Sequence, residues 1–419
     1  MNVLIKSAHL SGEVTVPSSK SEAHRYMICA ALSDKVTDVV IHGICSDIEA
    51  TADCLSALGA GVVRTDFGYR ITPVSKTSKD ALLKCRDSGS TLRFLIPVSA
   101  ALGADADFYM EGKLHERPLY PLDAELLRHG VTLDKIGRTL SVRGKLSSNS
   151  FHIDGSVSSQ FISGILMALP VLGGGIVILE GKVESVDYIK ITIDAMKVFG
   201  VDVSFEGNVL TVPAKGFTSP GRVTVCGDWS GASFWIAAGA LSENGITCKG
   251  IDLSSTQGDR RILDVLTAMG AEIEYGYDSV TVKKTYLHAT DTDATHIPDA
   301  VPVISVLCAI AEGRSHITGA ARLRLKESDR LAVMSELLRA MGASVTELKD
   351  GLIIDGAGSL NGAVIDAHND HRIAMSAAIA SMMCNGDVTV TGAECVSKSY
   401  SAFWDDFVSL GAVIETCKL

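Results

Sequence analysis

The chain is 419 residues long with 47% hydrophobic and 21% charged positions, which allows a large core, points to roughly two to four domains, and excludes a disordered or fibrous protein. Lys and Arg number 38 against 49 Asp and Glu, a net charge of -11. That balance argues against a surface that coats duplex nucleic acid by general phosphate attraction, so any anion must be met by a local basic cluster.

The opening MNVLIKSAHLSGEV is broken by Lys6, His9 and Glu13 before an apolar stretch reaches signal-peptide length, and no export is implied. From Pro17 the segment PSSKSEAHR enters the first apolar helix, with Ser19 and Glu22 in capping-box spacing and Ser21 and Arg25 on one face. It reads either as a helix cap with solvated charges or, through Lys20, Ser21 and Arg25, as a cradle for phosphate or carboxylate. A second helix entry, Asp87-Ser-Gly-Ser-Thr-Leu-Arg93, repeats the pattern. Its Gly89 permits close backbone approach to a ligand, and Arg117-Pro118 adds a cation from the loop GKLHERPLYPL.

The third entry, Ser158-Ser159-Gln160, supplies neutral hydrogen-bonding groups suited to a polyol or a phosphate edge. The uncharged run from 161 to 179 is interrupted by Pro170, Gly173, Gly174 and Gly175, so it reads as a buried helix, a turn and a strand rather than a membrane span. In the second half Asp299 opens a buried helix after Ile-Pro, and the run from Arg324 through Lys326 and Glu327 to Arg330 precedes an amphipathic one. Asp370-His371-Arg372 opens the last buried helix, and Lys398 follows. Charges on otherwise apolar helices need a reason, because burying them unpaired is costly.

These elements belong to a repeat. An apolar helical stretch ending in Gly, then Ala or Val, then alternating strand-like residues recurs at Gly59, Gly130, Gly200, Gly270, Gly342 and Gly411, spaced 69 to 72 residues apart. Gly suits a helix end that needs a left-handed residue. The polar-headed buried helices keep the same period, so each unit holds one buried and one amphipathic helix among strands, longer than the usual solenoid repeat. The N-terminal ends of the buried helices favour anions. Ten cysteines are scattered with no zinc-like spacing, which reads as reduced core thiols and favours the cytoplasm.

In order along the chain, Pro17 to Arg25, the Ser-Gly-Ser-Thr-Leu-Arg loop ending at Arg93, Arg117-Pro118, Ser158-Ser159-Gln160, Pro298-Asp299-Ala300, Lys326-Glu327-x-Asp329-Arg330 and Asp370-His371-Arg372-x-Ala-Met375 resemble the 5-enolpyruvylshikimate-3-phosphate synthase family of enolpyruvyl transferases over essentially the whole chain. The resemblance implies a two-domain α/β fold of six repeated βαβαββ units, three per domain, with buried parallel helices. Residues 1–13 and 225–419 are expected in one domain and 14–224 in the other, with the site in the cleft between them.

It also implies the reaction, which joins phosphoenolpyruvate to the 5-hydroxyl of shikimate 3-phosphate by addition and elimination, with neither metal nor organic cofactor. Lys20, Ser21, Arg25, Ser158, Ser159, Gln160, Ser185, Asp299 and Lys326 match the shikimate 3-phosphate contacts. Lys20, Gly89, Arg117, Gln160, Arg330, Arg372 and Lys398 match the phosphoenolpyruvate side. Lys20, Asp299, Glu327, His371 and Lys398 are the catalytic set, with Asp299 and Glu327 as the proton-transfer carboxylates. A monomer without nucleic-acid or membrane partners is the family expectation.

Three departures put local contacts in doubt: Asp87 stands where Asn is usual, Val186-Asp187 where a basic residue and Pro follow Ser185, and His24 where Asn is frequent. Two rivals are a UDP-N-acetylglucosamine enolpyruvyl transferase, whose reactive loop Cys is missing from GKLHERPLY, and a clamp-like repeat protein, which needs basic helix faces that this sequence lacks.

Overall fold

The structure, a computed structural model, describes Met1–Cys417. Each apolar stretch is a helix: Lys20–Ala31, Gly89–Leu102, Ser159–Ala168, Trp229–Leu241, Val301–Ile310 and His371–Ala380, buried almost throughout. Their amphipathic companions are Ser46–Ala57, Leu122–Arg128, Val186–Val198, Ile262–Ala268, Arg330–Ala340 and Phe403–Ser409. The repeat glycine follows each companion with φ between +78° and +117°. At Gly59 a Cβ atom would also lie 2.4 Å from the Lys76 carbonyl oxygen, so conformation and space both demand glycine there.

Among the described residues the strands form six four-stranded sheets and one two-stranded sheet. In four of the larger ones the strands before and after a buried helix pair in parallel: Ala81–Arg86 with Ala106–Met110, Ser150–Asp154 with Gly175–Glu180, Asp291–Asp293 with Arg314–Thr318, and Val364–Asp366 with Val388–Thr391. The helix supplies the crossover that a parallel pair requires.

The other two exchange partners. Gly12–Thr15 precedes helix Lys20–Ala31 yet pairs with Ile246–Lys249, while Arg222–Thr224 precedes helix Trp229–Leu241 yet pairs with Thr37–Val40. The chain accordingly divides into two compact units, Met1–Pro17 with everything from Cys226 onward, and Ser18–Val225. Strand Gly12–Thr15, which the expected boundary at residue 13 cuts, is paired along its whole length inside the first of these.

Each unit has its own apolar core. In the first, Trp235 stacks on Phe403 at 4.9 Å and donates its indole N–H to Tyr400 Oη at 3.0 Å, so the polar edge of a fully buried ring is satisfied. Cys29, Cys45, Cys54, Cys85, Cys248, Cys308 and Cys395 are buried, and burial pushes the Cys308 thiol up to about 11 and Cys45 up to about 12. No described helix is long and apolar enough to cross a membrane.

In the Ser18–Val225 unit, helices Gly89–Leu102 and Ser159–Ala168 meet at Gly164, where a Cβ atom would sit 2.6 Å from the Arg93 carbonyl oxygen and 2.9 Å from Pro97 Cγ. Alanine normally favours a helix over glycine by about 1 kcal/mol, but forcing two packed helices apart costs about 1–3 kcal/mol. We therefore expect Gly164→Ala to lower unfolding free energy by up to about 2 kcal/mol in urea titrations. Gly216→Ala, with nothing within 4 Å, should stay within about 0.5 kcal/mol of the native protein.

Candidate active site

The candidate residues fall into two sets, one in each unit. In Ser18–Val225 the Ser19 side chain caps the first buried helix by accepting from the Glu22 N–H at 3.4 Å, and Lys20 Nζ lies 2.8 Å from Asp47 Oδ2. Arg25 is 1% exposed. It donates to Ser21 O at 2.6 Å, Thr192 Oγ1 at 2.7 Å, Ser163 Oγ at 3.2 Å and Tyr188 O at 3.1 Å, and lies over the Phe94 ring. Burial lowers its guanidinium to about 10. It therefore ties the first buried helix to the helix that Ser185 opens, while Ser21 offers its carbonyl to it.

The second and third helix entries come together. Gln160 Oε1 accepts from Arg93 Nη1 at 2.7 Å, and Gln160 Nε2 donates to Ser90 Oγ at 2.9 Å. A Cβ atom on Gly89 would lie 2.8 Å from Arg117 Nη1 and 3.3 Å from Arg93 Nη1. Two guanidinium groups thus converge on a backbone with no side chain of its own, at a helix start capped by Ser88, an arrangement suited to a carboxylate or phosphate. Ser158 caps the third buried helix by accepting from the Gln160 N–H at 3.3 Å, with Ser159 buried in its first turn.

In the other unit one guanidinium organises the site. Arg330, 2% exposed, donates to Asp370 at 2.8 and 3.2 Å, to Glu327 Oε2 at 2.8 Å and to Asp299 Oδ1 at 2.8 Å. Lys326 Nζ reaches the same Asp299 oxygen at 3.1 Å, and Arg372 Nη2 approaches its other oxygen at 3.7 Å. Burial opposes charge on Asp299, yet Lys326, Arg372 and Arg330 together hold its carboxyl well below the usual range. Burial lowers the Lys326 ammonium, with Asp299 opposing. Arg330 is raised, since Asp370, Glu327 and Asp299 outweigh its burial. Asp370 caps the last buried helix by accepting from the Arg372 N–H at 2.9 Å, His371 is buried beside it, and Lys398 Nζ donates to Asn369 O at 2.7 Å.

Sequence reasoning placed Arg93 and Asp370 in motifs without giving them a part, and missed Asp259, a buried carboxyl near Asp299 and Arg372. A further signal lies in the backbone. Among the described residues five that are not glycine have positive φ, namely Asp80, Arg86, Ser185, His368 and Asn369. Arg86, His368 and Asn369 stand just before candidate segments and Ser185 is itself a candidate, and left-handed backbone of this kind costs about 1–3 kcal/mol at each position. Among the departures, His24 Nδ1 pairs with Thr51 Oγ1 at 2.7 Å and burial keeps its ring neutral. Asp187 lies 3.6 Å from Lys190, and the Asp87 carboxylate rests against Gly112. No group of three or more His, Cys, Asp or Glu side chains able to hold a metal occurs among the described residues.

Comparison with known proteins gives a family match over residues 4–407, to EPSP synthase (3-phosphoshikimate 1-carboxyvinyltransferase). A 3-phosphoshikimate 1-carboxyvinyltransferase of Clostridium acetobutylicum is 39% identical over 427 residues, covering 100% of this chain and 99% of that one. One of Clostridium kluyveri is 40% identical, covering 99% and 98%. Among solved structures an EPSP synthase from Acinetobacter baumannii superposes with a TM-score of 0.80 at 26% identity, covering 99% of this chain and 100% of that one.

The Arg330 network sets two measurable outcomes. Asp370→Ala strips a fully buried guanidinium of a partner, so unfolding free energy should fall by about 3–5 kcal/mol in chemical denaturation. Because the Asp299 carboxyl lies lower in the folded than in the unfolded chain, its stabilisation is complete above about pH 4 and fades as pH falls toward the folded-state value. Acid titration should therefore show a steeper loss of stability below about pH 4 for the native protein than for Asp299→Asn.

Proposed function

The chain belongs to the EPSP synthase (3-phosphoshikimate 1-carboxyvinyltransferase) family, and from that premise we propose that it transfers the enolpyruvyl group of phosphoenolpyruvate to the 5-hydroxyl of shikimate 3-phosphate, releasing phosphate through a tetrahedral intermediate. The repeated α/β units with buried, polar-headed helices fit an enolpyruvyl transferase built of six βαβαββ units, three per domain, working as a cytoplasmic monomer without a cofactor.

The observation that carries the reading is the Asp299 network, a carboxylate kept ionised by Lys326, Arg330 and Arg372. Such a group accepts the proton of the attacking hydroxyl, while Lys326 and the polar starts Lys20–Ser21, Ser158–Gln160 and Ser185, with Arg25, hold shikimate 3-phosphate. Gly89, Arg117, Arg330, Arg372 and Lys398, joined by Arg93 and Gln160, take the carboxylate and phosphate of phosphoenolpyruvate, whose charge the cluster offsets.

At rest Glu327 shares Arg330 with Asp299 and Asp370. A substrate anion competing for Arg330 weakens that pairing and raises the Glu327 carboxyl, which then donates a proton to the methylene carbon and removes one again as phosphate leaves. Lys20, His371 and Lys398 complete the catalytic set.

Phosphate release should require both substrates. Phosphoenolpyruvate alone, or with UDP-N-acetylglucosamine in place of shikimate 3-phosphate, should give none, and equal release in the last case refutes the assignment. Asp299→Asn and Glu327→Gln should each lower kcat by about a hundred- to ten-thousand-fold while leaving shikimate 3-phosphate binding in place. Solvent deuterium should enter the methylene carbon during native turnover and much less with Glu327→Gln; near-native turnover in both variants would move the proton transfers to Lys20 or Lys398.

A further inference from the structure

One buried carboxyl group, that of Asp259, lies close to the Asp299 network but outside the proposed catalytic set. Asp259 lies in the short helix Gly258–Arg261 and is 4% exposed. Its Oδ2 accepts a hydrogen bond from Ser230 Oγ, whereas its Oδ1 is buried without a hydrogen-bond partner. Ser230 stands in the first turn of helix Trp229–Leu241, and its carbonyl accepts from Arg372 Nη1 at 2.9 Å. Arg372 is 3% exposed, lies over the Phe234 ring, and keeps a buried Nε with no partner. A chain of contacts thus runs from Asp259 through Ser230 to the guanidinium, and Asp259 does not itself donate to or accept from it.

We propose that Asp259 is a positioning residue for Arg372, acting through Ser230, and that its carboxylate takes up a proton as an anion binds to Arg372. The proposal rests on the reading that Arg372 receives phosphoenolpyruvate.

The charges around Asp259 favour this exchange. Asp228 caps the same helix that carries Ser230, Asp299 and Arg372 face it from their own segments, and Arg260 and Arg261 share its short helix, Arg260 donating to Leu253 O at 2.5 Å. Asp264 lies on the helix that follows. The neighbouring Gln257 is neutral and tied to the Trp229 N–H and the Gly227 carbonyl. Burial and then Asp299 push the Asp259 carboxyl up to about 7, with Asp228 adding to them, against the pull of Arg372 and Ser230.

A ligand anion on Arg372 cancels much of that pull and adds negative charge nearby, so the bound state favours protonated Asp259. By linkage, anion affinity then falls as pH rises above about 7, because a proton must be taken from an increasingly dilute supply.

The experiment measures KM for phosphoenolpyruvate and kcat at saturating shikimate 3-phosphate from about pH 6 to about pH 9 for the native enzyme, Asp259→Asn and Ser230→Ala. Asp259→Asn keeps the size and the contact to Ser230 but cannot ionise. The native KM should rise above about pH 7 by up to tenfold per pH unit relative to Asp259→Asn, with the two curves meeting near pH 6; titration of the substrates is common to both and cancels. Ser230→Ala removes a contact that holds the Asp259 carboxyl down, so the break in its profile should move to higher pH.

Parallel native and Asp259→Asn profiles with normal turnover overturn the role of Asp259 alone. Absence of phosphoenolpyruvate-dependent turnover in the native enzyme overturns the reading beneath it. Should Asp259→Asn fail to fold by circular dichroism, calorimetry on the native enzyme in two buffers of different ionisation enthalpy decides the matter. Proton uptake near pH 8 beyond that of the substrates supports the proposal, and none refutes it.

Discussion

Helix Trp229–Leu241 is buried at every one of its residues, and the other five polar-headed helices come close to it, so polar chemistry on these elements is confined to their ends. At the N-terminal ends the unpaired N–H groups and the helix dipole make negative charge welcome. Asp228, Ser88, Ser158 and Asp370 cap such ends, and the cations beside them, Arg93, Arg117, Arg330 and Arg372, are set where an anion is already favoured. Stability and chemistry are coupled through this arrangement. Arg330 is tolerated inside the protein only because three carboxylates surround it, and an unmatched ion in such a place costs several kcal/mol. On the proposed function, a substrate that draws on Arg330 would disturb a balance that also holds the fold together.

Much of this was legible in the sequence, for identifiable reasons. A helix end in left-handed backbone calls for glycine, so the six repeat glycines announced six helix-to-strand junctions, and all six have positive φ. The buried helices announced themselves by a lack of polar residues after the first turn. Partners brought together from distant segments were not legible: Asp259, Ser230, Asp299 and Arg372 lie in four separate stretches and share no local spacing. Arg93 was visible as the last letter of a motif, but its convergence with Arg117 over Gly89 depends on how the intervening strands pack. Ser185 shows the limit of composition, since its left-handed backbone is held by context in a residue that carries no such preference.

The departures from the family pattern divide in the same way. His24 is accommodated by Thr51, which also bonds Thr91 at 2.7 Å, and Thr91 in turn bonds Ser88 Oγ at 2.7 Å. The ring therefore begins a line of buried hydroxyls that ends at the cap of the Gly89–Leu102 helix, and its neutrality suits that setting because Lys20 and Arg25 already supply charge nearby. Asp187 has Lys190 one turn ahead to offset it. The structure offers no such account of Val186.

The exchange of edge strands has a consequence for how the protein is made. Strand Asn2–Ala8 lies inside its sheet, between Val388–Thr391 and Ala412–Cys417, and Gly12–Thr15 waits for Ile246–Lys249. Both strands thus pair only with segments translated far later, whereas Ser18–Val225 is contiguous and closes its own sheets once Arg222–Thr224 has emerged. At roughly 5–20 residues per second strand Asn2–Ala8 waits about 20–80 s for its partners to be translated. Through that interval an unpaired strand extends from a unit whose own sheets can already close, and its protection from edge-to-edge aggregation belongs to the route by which this enzyme reaches its native state.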